Sequence, residues 1–365
     1  MNPFGIPAAA SAAYQLLAFF AARLPHPPPD GVSPVSILKP VRDRDLRFDQ
    51  AILSHATQEY PEFVLLFGVR SEADPAVPSI RALMAKYANV RLIVTEHDAP
   101  NGKVGVLEVL AREARFPLLL VNDSDIVVPA GYLRTVLGPL SNPGVGLVTC
   151  LYRATGDSMA TRAEALGIAT DFAPGVLVAR MLGDSAFALG STMAFRAADL
   201  ERIGGFAAIA DYIADDYQLG LRMHRLGLRI ELSSVVVETT LGARSWGDVW
   251  RHQVRWARTI RVSRPMGYAG YVATQTTFWA LLALVTGNWP VALAAMLLRW
   301  AAALKTGRVL GDAAVARRWW WIPLRDLFGT VVWVAGLAGS NVEWRGKRLR
   351  LTSDGRIQVC KIKPS

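Results

Sequence analysis

The chain has 365 residues, a formal net charge of +10 and a mean hydropathy of +0.25, with only 19% charged residues. This composition disfavours an ordinary single soluble domain and points to a membrane portion. Cys150 and Cys360 are the only cysteines, which excludes a disulfide-stabilised scaffold.

The positive charge is concentrated in the last third of the chain. Residues 1–245 carry a charge balance of −3 and residues 246–365 a balance of +13, and all eleven tryptophans lie from Trp246 onward. A disordered tail is excluded because this basic segment is aromatic and apolar. The net charge is therefore a property of one part of the molecule.

The N-terminal residues 1–24 are alanine-rich and apolar. The run from Ile6 to Ala22 is about as short as a membrane span can be, and we interpret it as either an N-terminal membrane anchor or the remnant of one. No basic residue precedes the run, so a cleaved signal peptide fits less well. Pro25–Pro34 is rich in Pro, Gly and Asp and is interpreted as a linker.

From residue 35 onward, short apolar runs alternate with stretches of helical character. Continuous apolar strands separated by 10–15-residue helices indicate an α/β protein with a mostly parallel sheet covered on both faces. In such sheets ligands bind beyond the carboxyl ends of the strands. The predicted strands are Val35–Leu38, Phe63–Val69, Val90–Val94 and Pro117–Asn122, and the predicted helices are Leu46–Thr57, Val77–Tyr87 and Lys103–Ala114.

The C-terminal part has a different pattern. Tyr271–Gly287 and Trp289–Leu304 are apolar runs of about 17 residues, and a basic loop follows them. They are predicted to form a transmembrane hairpin with the loop on the cytoplasmic side. A third stretch, Trp319–Gly339, contains Arg325 and Asp326 and is either a span with an internal ion pair or a re-entrant segment. The alternative is that all three are buried helices of a soluble domain.

Two acidic residues follow the cleanest predicted strand directly. Asp123 and Asp125 lie one residue apart, where both carboxylates can turn toward one ligand. A hard divalent cation that carries a diphosphate would satisfy them, because Mg2+ prefers a few carboxylates plus phosphate oxygens. No Cys/His cluster has zinc spacing, so any metal must be held by oxygens. The alternative is a solvated turn at the strand end.

Other polar residues allow two interpretations each. Asp74 follows a strand and either contacts a nucleotide or caps the next helix. Asp215 and Asp216 begin an amphipathic helix, where they suit the helix dipole or supply a general base. Arg255 either reaches a diphosphate or belongs to a basic helix face on anionic lipid. That face is formed by Arg251, Arg255, Arg258 and Arg261.

The order of these signals resembles the ceramide glucosyltransferase family of membrane-bound, family-2-type glycosyltransferases, including bacterial relatives associated with hopanoid lipids. The resemblance implies a GT-A (Rossmann-like) domain over residues 33–265, membrane or re-entrant helices over 269–340 and a basic tail over 341–365. The hydrophobic tail and WRGKRLRL (344–351) contribute to it. Seven segments carry it: VSILKPVRDRD (35–45), EYPEFVLLFGV (59–69), ADPAVP (73–78), NDSDIVV (122–128), GVGLVTCLYR (144–153), ADYIADDYQLG (210–220) and HQVRWARTIR (252–261).

The resemblance also implies roles for individual residues. Asp123, with Asp125, matches the position at the metal and the diphosphate, which implies Mg2+ or Mn2+ as cofactor. Asp216 matches the general base, and Asp215 is its neighbouring alternative. Substrate or nucleotide contacts are implied for Lys39, Asp74, Lys103, His252, Arg255 and Trp256.

The chain departs from the family pattern at two places. His252 stands where the family's Gln/Arg-x-x-Arg-Trp motif begins with Gln or Arg. Lys103 lies in Asn-Gly-Lys-Val-Gly, where the family usually has Asn-Pro-Lys followed by Asn residues. These departures leave the substrate details open.

The implied function is inverting transfer of a sugar from a UDP-sugar to the hydroxyl of a membrane lipid such as ceramide or a hopanoid. The implied location is the inner membrane, with several spans and the catalytic domain facing the cytoplasm. Three rivals remain: a processive polysaccharide synthase, a catalytically silent scaffold of the same fold, and a nucleic-acid-binding protein. The last is disfavoured because the basic residues flank apolar runs and no nucleic-acid motif appears.

Overall fold

The computed structural model describes residues 4–344 and 347–359. The chain forms two compact units. The sheet unit comprises Leu24–Tyr152 and Ser185–Thr240. The helical unit comprises the described parts of residues 1–23, 153–184 and 241–365. The units divide the chain differently from the predicted boundary at residue 265.

Fifteen α-helices and ten strands are present among the described residues. The strands are β1 (Val35–Pro40), β2 (Phe63–Val69), β3 (Val90–Val94), β4 (Leu118–Val121), β5 (Val145–Thr155), β6 (Met193–Arg196), β7 (Arg229–Thr240), β8 (Asn341–Trp344), β9 (Lys347–Leu351) and β10 (Ile357–Val359). The helices are α1 (Gly5–Ala21), α2 (Phe48–Ala56), α3 (Val77–Met84), α4 (Gly102–Arg112), α5 (Tyr132–Leu137), α6 (Met159–Gly167), α7 (Ala173–Met181), α8 (Ala197–Arg202), α9 (Asp215–Arg225), α10 (Trp246–Ser263), α11 (Pro265–Gly270), α12 (Thr276–Val285), α13 (Trp289–Val309), α14 (Ala313–Arg317) and α15 (Ile322–Leu337).

The main sheet has seven strands in the order β3-β2-β1-β4-β6-β5-β7. Strands β3, β2, β1 and β4 pair in parallel, which confirms the predicted parallel sheet in the first half of the chain. Strand β6 pairs antiparallel with both β4 and β5, so the sheet is mixed. The carboxyl ends of β2, β1 and β4 consequently lie side by side at one edge.

Both faces of the sheet are buried, as the continuous apolar runs predict. Ile37 and Leu65 belong to one apolar core, together with Phe48 of α2. Their chain neighbours Leu38 and Leu66 belong to a second core on the opposite face. Successive side chains of a strand point to opposite faces, so a strand buried on both sides is apolar at most positions. Its buried polar side chains, such as Ser36 and Lys39 of β1, require hydrogen-bond partners.

The helical unit contains the predicted N-terminal helix and the C-terminal apolar segments. Helix α1 packs with α12 and α13 through buried alanines. The first predicted apolar segment is divided at Gln275, where a 3-10 turn over Tyr271–Thr274 ends and α12 begins. Within residues 4–344 and 347–359, no helix combines the length and apolar character needed to cross a membrane. The transmembrane hairpin stays a prediction.

The charges of the third predicted segment pair with other helices. Asp326 of α15 forms two contacts with Arg299 of α13, at 2.9 Å to Nε and 2.6 Å to Nη2. Arg325 donates to Gln253 of α10 at 3.2 Å. An ion pair within the segment does not form, because adjacent residues of a helix do not face each other.

The C-terminal tail begins as a small antiparallel sheet of β8, β9 and β10. Part of the predicted basic tail, residues 345–346 and 360–365, lies outside the described residues, as do residues 1–3 of the predicted anchor. Arg258 donates to the Ala338 and Asn341 carbonyls, and Arg261 donates to the Leu337 and Gly339 carbonyls. These two arginines of the predicted lipid-facing stripe therefore satisfy carbonyls at and beyond the end of α15, which otherwise lack partners.

We predict that Gly220→Ala destabilises the protein. A Cβ atom at Gly220 in α9 would lie 2.6 Å from the Ala188 nitrogen and 2.7 Å from the Phe187 carbonyl carbon, and backbone atoms cannot rotate away. Overpacking costs about 1–3 kcal/mol, which exceeds the roughly 0.5–1 kcal/mol that alanine gains over glycine in a helix. Unfolding of the full chain followed by thermal or chemical denaturation measures the change.

Gly175→Ala is the matched control, because Gly175 lies in helix α7 and a Cβ atom there would lie 3.9 Å from the Tyr14 hydroxyl oxygen, an ordinary van der Waals contact. This variant should be as stable as the wild type or slightly more stable. If Gly220→Ala behaves like Gly175→Ala, the close approach of α9 to residues 187–188 is wrong.

Candidate active site

Polar residues from three neighbouring strands meet at the carboxyl edge of the sheet. The Asp74 carboxylate, which follows β2, accepts from the Asp43 backbone N–H at 3.1 Å, beyond β1. The Ser124 hydroxyl, which follows β4, donates to Asp45 at 2.9 Å. Hydrogen bonds thus connect the loops that follow the three strands. These loops lie at the sheet edge where the sequence predicts ligand binding.

Lys103 lies between two aspartates of this edge. Its Nζ is 2.9 Å from Asp123 Oδ1 and 3.0 Å from Asp215 Oδ2. The Lys103 and Asp215 side chains are each 9% exposed, whereas Asp123 is 45% exposed. The resemblance implies a nucleotide contact for Lys103, which stays a prediction. In the structure, the Lys103 ammonium group forms ion pairs with Asp123 and Asp215, which come from segments far apart in the chain.

Asp216 is held by backbone donors. Its Oδ2 accepts from the Gly190 N–H at 3.0 Å and its Oδ1 from the Tyr217 N–H at 2.7 Å. Burial, followed by the neighbouring Asp215 carboxylate, raises the pKa of Asp216 to about 6, although Lys103 opposes this effect. A carboxylate with such a pKa accepts protons readily near neutral pH.

Gly190 leaves an open position between the aspartates. A Cβ atom at this residue would lie 3.2 Å from Asp123 Oδ2, 3.5 Å from Asp216 Oδ2 and 3.8 Å from Lys103 Nζ. The Asp123 and Asp216 carboxylates therefore border the same small space. Sequence analysis missed Gly190, and the only signal for it was a small-residue segment before the apolar run of β6.

Asp125 is fixed by strand β7. Its carboxylate accepts a short hydrogen bond from the Thr239 hydroxyl, and the adjacent Val127 pairs with Glu238. Burial raises the pKa of Asp125, and the Asp123 carboxylate adds to this effect. Sequence analysis placed Asp125 beside Asp123, but it could not identify Thr239, which is 114 residues away in the chain.

Lys39 lies beneath the site. It is fully buried, and its Nζ donates to the Asp123 carbonyl at 3.0 Å. Burial lowers the pKa of Lys39 to about 7, although Asp125 and Asp123 act in the opposite direction. The adjacent Asn122 amide donates to the Tyr132 hydroxyl at 2.9 Å and to the Ser191 carbonyl at 2.7 Å. This network, which sequence analysis missed, fixes the chain on both sides of β4.

The Asp74 carboxylate also lies in the turn that leads into α3. Its Oδ1 accepts from the Ala76 N–H at 3.0 Å, but the N-cap of α3 is Ala76 and the helix receives no side-chain cap, so Asp74 stabilises the turn and not the helix terminus. Its contact with a nucleotide stays a prediction.

The oxygens at this edge fit a divalent cation that is completed by ligand phosphates. No group of three or more His, Cys, Asp or Glu side chains with the arrangement of a metal site occurs in the part of the chain that the structure describes. Two carboxylates, Asp123 and Asp125, are nevertheless present, and Asp123 Oδ2 borders the space beside Gly190. A cation bound through one or two carboxylates is typical of Mg2+ sites that hold a diphosphate.

The remaining predicted residues lie in the helical unit, on α10. The His252 and Trp256 rings are 4.7 Å apart, and Trp256 also contacts Phe172 at 6.1 Å between ring centroids. His252 Nδ1 lies 2.5 Å from Glu164 of α6. Arg255 is on the same helix and its backbone carbonyl accepts from Thr259. Glu164 is a further residue that sequence analysis missed.

Comparison with known proteins identifies the family. The family model of Glycosyl transferase family 21 matches residues 4–357. Ceramide glucosyltransferase 1 of Caenorhabditis elegans is 30% identical over 228 residues, which are 60% of this chain and 49% of that protein. Ceramide glucosyltransferase 3 of the same organism is 28% identical over 205 residues, which are 55% and 44%. The chain spans about half the length of these relatives.

A solved structure confirms the fold class. A mannosyltransferase from Pyrobaculum calidifontis, in complex with GDP-Man and Mn2+, superposes with a TM-score of 0.57 at 18% sequence identity. The match covers 92% of this chain and 96% of that one. At this identity the likeness concerns the fold alone, a mixed α/β fold of the GT-A type.

We predict that Lys103→Met destabilises the protein by about 3 kcal/mol at pH 7, because it leaves buried carboxylates without their cation. The loss should shrink as the pH falls to 5. Lys103 lowers the pKa of Asp216, so without it this carboxyl takes up a proton at a higher pH, which relieves the repulsion. Chemical denaturation of the full chain at both pH values measures the difference.

Lys86→Met is the control, since Lys86 is exposed, and such substitutions change stability by about 0.5 kcal/mol or less. An equal loss for Lys103→Met at pH 7 and pH 5 would show that Lys103 contributes packing and not charge.

Proposed function

Because the chain belongs to Glycosyl transferase family 21, we propose that it is a hexosyltransferase that moves a sugar from a UDP-sugar to a hydroxyl of a membrane lipid. Its similarity to ceramide glucosyltransferases supports a lipid acceptor. The observation that carries the proposal is that two carboxylates border the same space beside Gly190. Asp123 would face the diphosphate, and Asp216 would accept the proton.

The proposed reaction is a direct displacement with inversion. The acceptor hydroxyl oxygen forms a bond to the anomeric carbon while the bond from that carbon to the diphosphate oxygen breaks. Asp216 takes the hydroxyl proton, and UDP leaves with the electron pair. The pKa of Asp216, about 6, suits the role of general base, because a general base works best when its pKa is near the operating pH. Asp215 is the weaker candidate, since it pairs with Lys103.

The charge that develops on the diphosphate requires positive groups. Asp123 and Asp125 would hold a divalent cation, Mg2+ or Mn2+, which supplies such charge when bound. The mannosyltransferase of similar fold, which was solved in complex with GDP-Man and Mn2+, supports the combination of a divalent cation with a diphosphate. Lys103 and Lys39 hold the Asp123 loop in place. We assign Asp74, His252, Arg255 and Trp256 to substrate contacts.

We also propose that the helical unit rests on the cytoplasmic side of the inner membrane. Large apolar side chains are exposed on α1, α12, α13 and α15. Large exposed apolar side chains on several helices of one unit support a membrane or protein contact, and the balance of +13 over residues 246–365 favours anionic headgroups. On these four helices, the large apolar side chains that are more than half exposed are Ile6, Phe20, Leu284, Val285, Trp289, Leu293, Leu297, Leu324, Val331 and Val334.

We expect Asp216→Asn to lower turnover about 10²–10⁴-fold, the usual contribution of a general base, while UDP binding is largely retained. In the wild type, turnover should fall as the pH drops through about 6, because protonated Asp216 cannot accept a proton. The assay gives the purified full chain a panel of UDP-sugars with ceramide, a hopanoid polyol or diacylglycerol and detects products by mass spectrometry.

Asp354→Asn, which changes an exposed acid paired with Arg356, is the control and should retain full turnover. If Asp216→Asn works at nearly the wild-type rate, Asp216 is not the base and Asp215 becomes the candidate. No product from the wild type with any pair would favour a silent scaffold.

Membrane association should depend on the basic residues of the helical unit. Reversing Arg308 and Arg317 to Glu should weaken binding of the full chain to vesicles of phosphatidylglycerol and phosphatidylcholine roughly tenfold or more, since each basic residue near the surface contributes about 1 kcal/mol. Binding to pure phosphatidylcholine vesicles should change little. Reversal of Arg81 and Arg112 in the sheet unit is the matched control, and an equal effect there would contradict the proposed orientation.

A further inference from the structure

A chain of hydrogen bonds between buried side chains connects helices α15, α10 and α6 in the helical unit. Arg325 Nη2 lies 3.2 Å from Gln253 Oε1, and Gln253 Nε2 lies 2.9 Å from Glu164 Oε1. The same Glu164 oxygen lies 2.5 Å from His252 Nδ1. Glu164 has no exposed side-chain surface, while the His252 side chain is 20% exposed.

The donor at one end fixes the direction of every bond in this chain. A guanidinium only donates, so the oxygen of the Gln253 amide faces Arg325 and its N–H group faces Glu164. Glu164 Oε1 is therefore an acceptor. The lowered pKa of Glu164 keeps this carboxyl ionised near neutral pH, and an ionised carboxylate only accepts, so the proton between Glu164 and His252 resides on His252 Nδ1.

The charges around His252 favour a neutral ring above an ionised Glu164. Burial lowers the pKa of His252, and although Glu164 opposes this, Arg255 and Arg244 add to the lowering. Burial disfavours the Glu164 carboxylate, but hydrogen bonds from His252 and Gln253 keep its pKa below the usual value. A neutral ring with its proton on Nδ1 carries a lone pair on Nε2.

Helix α6 leaves space for the Arg325 side chain of this hydrogen-bond network. Gly167 lies one turn after Glu164 on α6, and a Cβ atom there would come within 2.2 Å of Arg325 Nε. Glu164 Oε2 is buried without a hydrogen-bond partner among the described residues. Leaving a buried acceptor unsatisfied lowers stability, so the carboxylate is not the side chain that stability alone would favour at this position.

We infer that Glu164 is a positioning residue that fixes His252 with its proton on Nδ1, so that Nε2 accepts a hydrogen bond from a substrate hydroxyl. The inference deepens the proposed function and rests on it for the substrate class. The hydroxyl belongs either to the sugar of the donor or to the acceptor lipid. A phosphate oxygen cannot serve, because it only accepts and would face a lone pair.

This assignment changes the chemistry at the first position of the Gln/Arg-x-x-Arg-Trp motif. From that position arginine only donates and glutamine both donates and accepts, whereas Nε2 of His252 in this state only accepts. In this assignment, the histidine at the first motif position depends on the buried Glu164, which fixes its tautomer.

The test observes the histidine ring directly. Two-bond ¹H–¹⁵N spectra of the ¹⁵N-histidine-labelled full chain, at pH 7.5 in phosphatidylcholine nanodiscs, distinguish the two tautomers. The chain has five histidines, and loss of one pattern in His252→Gln assigns the resonance. We expect the Nδ1–H pattern in the wild type and in Glu164→Gln, whose amide oxygen still accepts. Glu164→Met should shift the ring toward the Nε2–H form.

Glu113→Gln, which alters a half-exposed acid paired with Arg91, is the control and should leave the pattern unchanged. An Nε2–H or doubly protonated His252 in the wild type would overturn the inference, and so would an unchanged pattern in Glu164→Met. None of these measurements needs turnover, so they stand even if the proposed transferase activity fails.

The ligand is tested by adding probes one at a time. UDP alone should leave the Nε2 resonance in place. A shift with UDP-glucose but not UDP identifies a donor sugar hydroxyl, and a shift with ceramide, a hopanoid polyol or diacylglycerol identifies the acceptor. The KM of that substrate should rise roughly tenfold in Glu164→Met, as expected for one lost hydrogen bond, and recover in Glu164→Gln. A shift toward protonation with UDP, or no shift with any probe, would overturn the hydroxyl assignment.

Discussion

The contact of Lys103 with Asp123 and Asp215 is the interaction on which the sheet unit's functional edge depends. Asp123 comes from the loop after β4 and Asp215 from the start of α9. Carboxylates from two such segments repel each other unless a cation lies between them. Lys103 supplies that cation from helix α4, so one side chain holds three elements in register. Asp216, the next residue along α9, takes its position from the same arrangement.

The same contact determines how Asp216 can act. Burial and Asp215 raise its pKa, and Lys103 limits the rise, so that the value settles at about 6. A stronger opposing charge would leave a weak base, and a weaker one would leave a protonated acid at neutral pH. Repulsion between neighbouring carboxylates reduces the stability of the fold while it improves the proton acceptor. In the proposed mechanism, stability and chemistry therefore compete at this site, as is common in active sites.

The helical unit is organised by the same physical rule, applied to arginine. Arg299 is 3% exposed and pairs with Asp326, while Arg325 donates to Gln253 above Glu164. Buried charges are costly unless they are paired and hydrogen-bonded, so each pair selects which helices contact each other. Apolar packing alone would permit several arrangements of helices rich in alanine and leucine. The polar chain that ends at His252 is one product of this selection.

The sequence by itself determined the first four strands, the three helices between them and the sheet edge where ligands are expected. Apolar runs are local signals, and they survive packing because most side chains of a strand that is buried on both faces must be apolar. The order of the motifs also identified the family. Tertiary structure alone decided the partners: Lys103 with Asp215, Thr239 with Asp125, and Arg325 with Gln253 instead of Asp326. Hydrophobic periodicity reports which face of an element is buried but not which distant side chain meets it, and the chemistry of buried charges depends on that meeting.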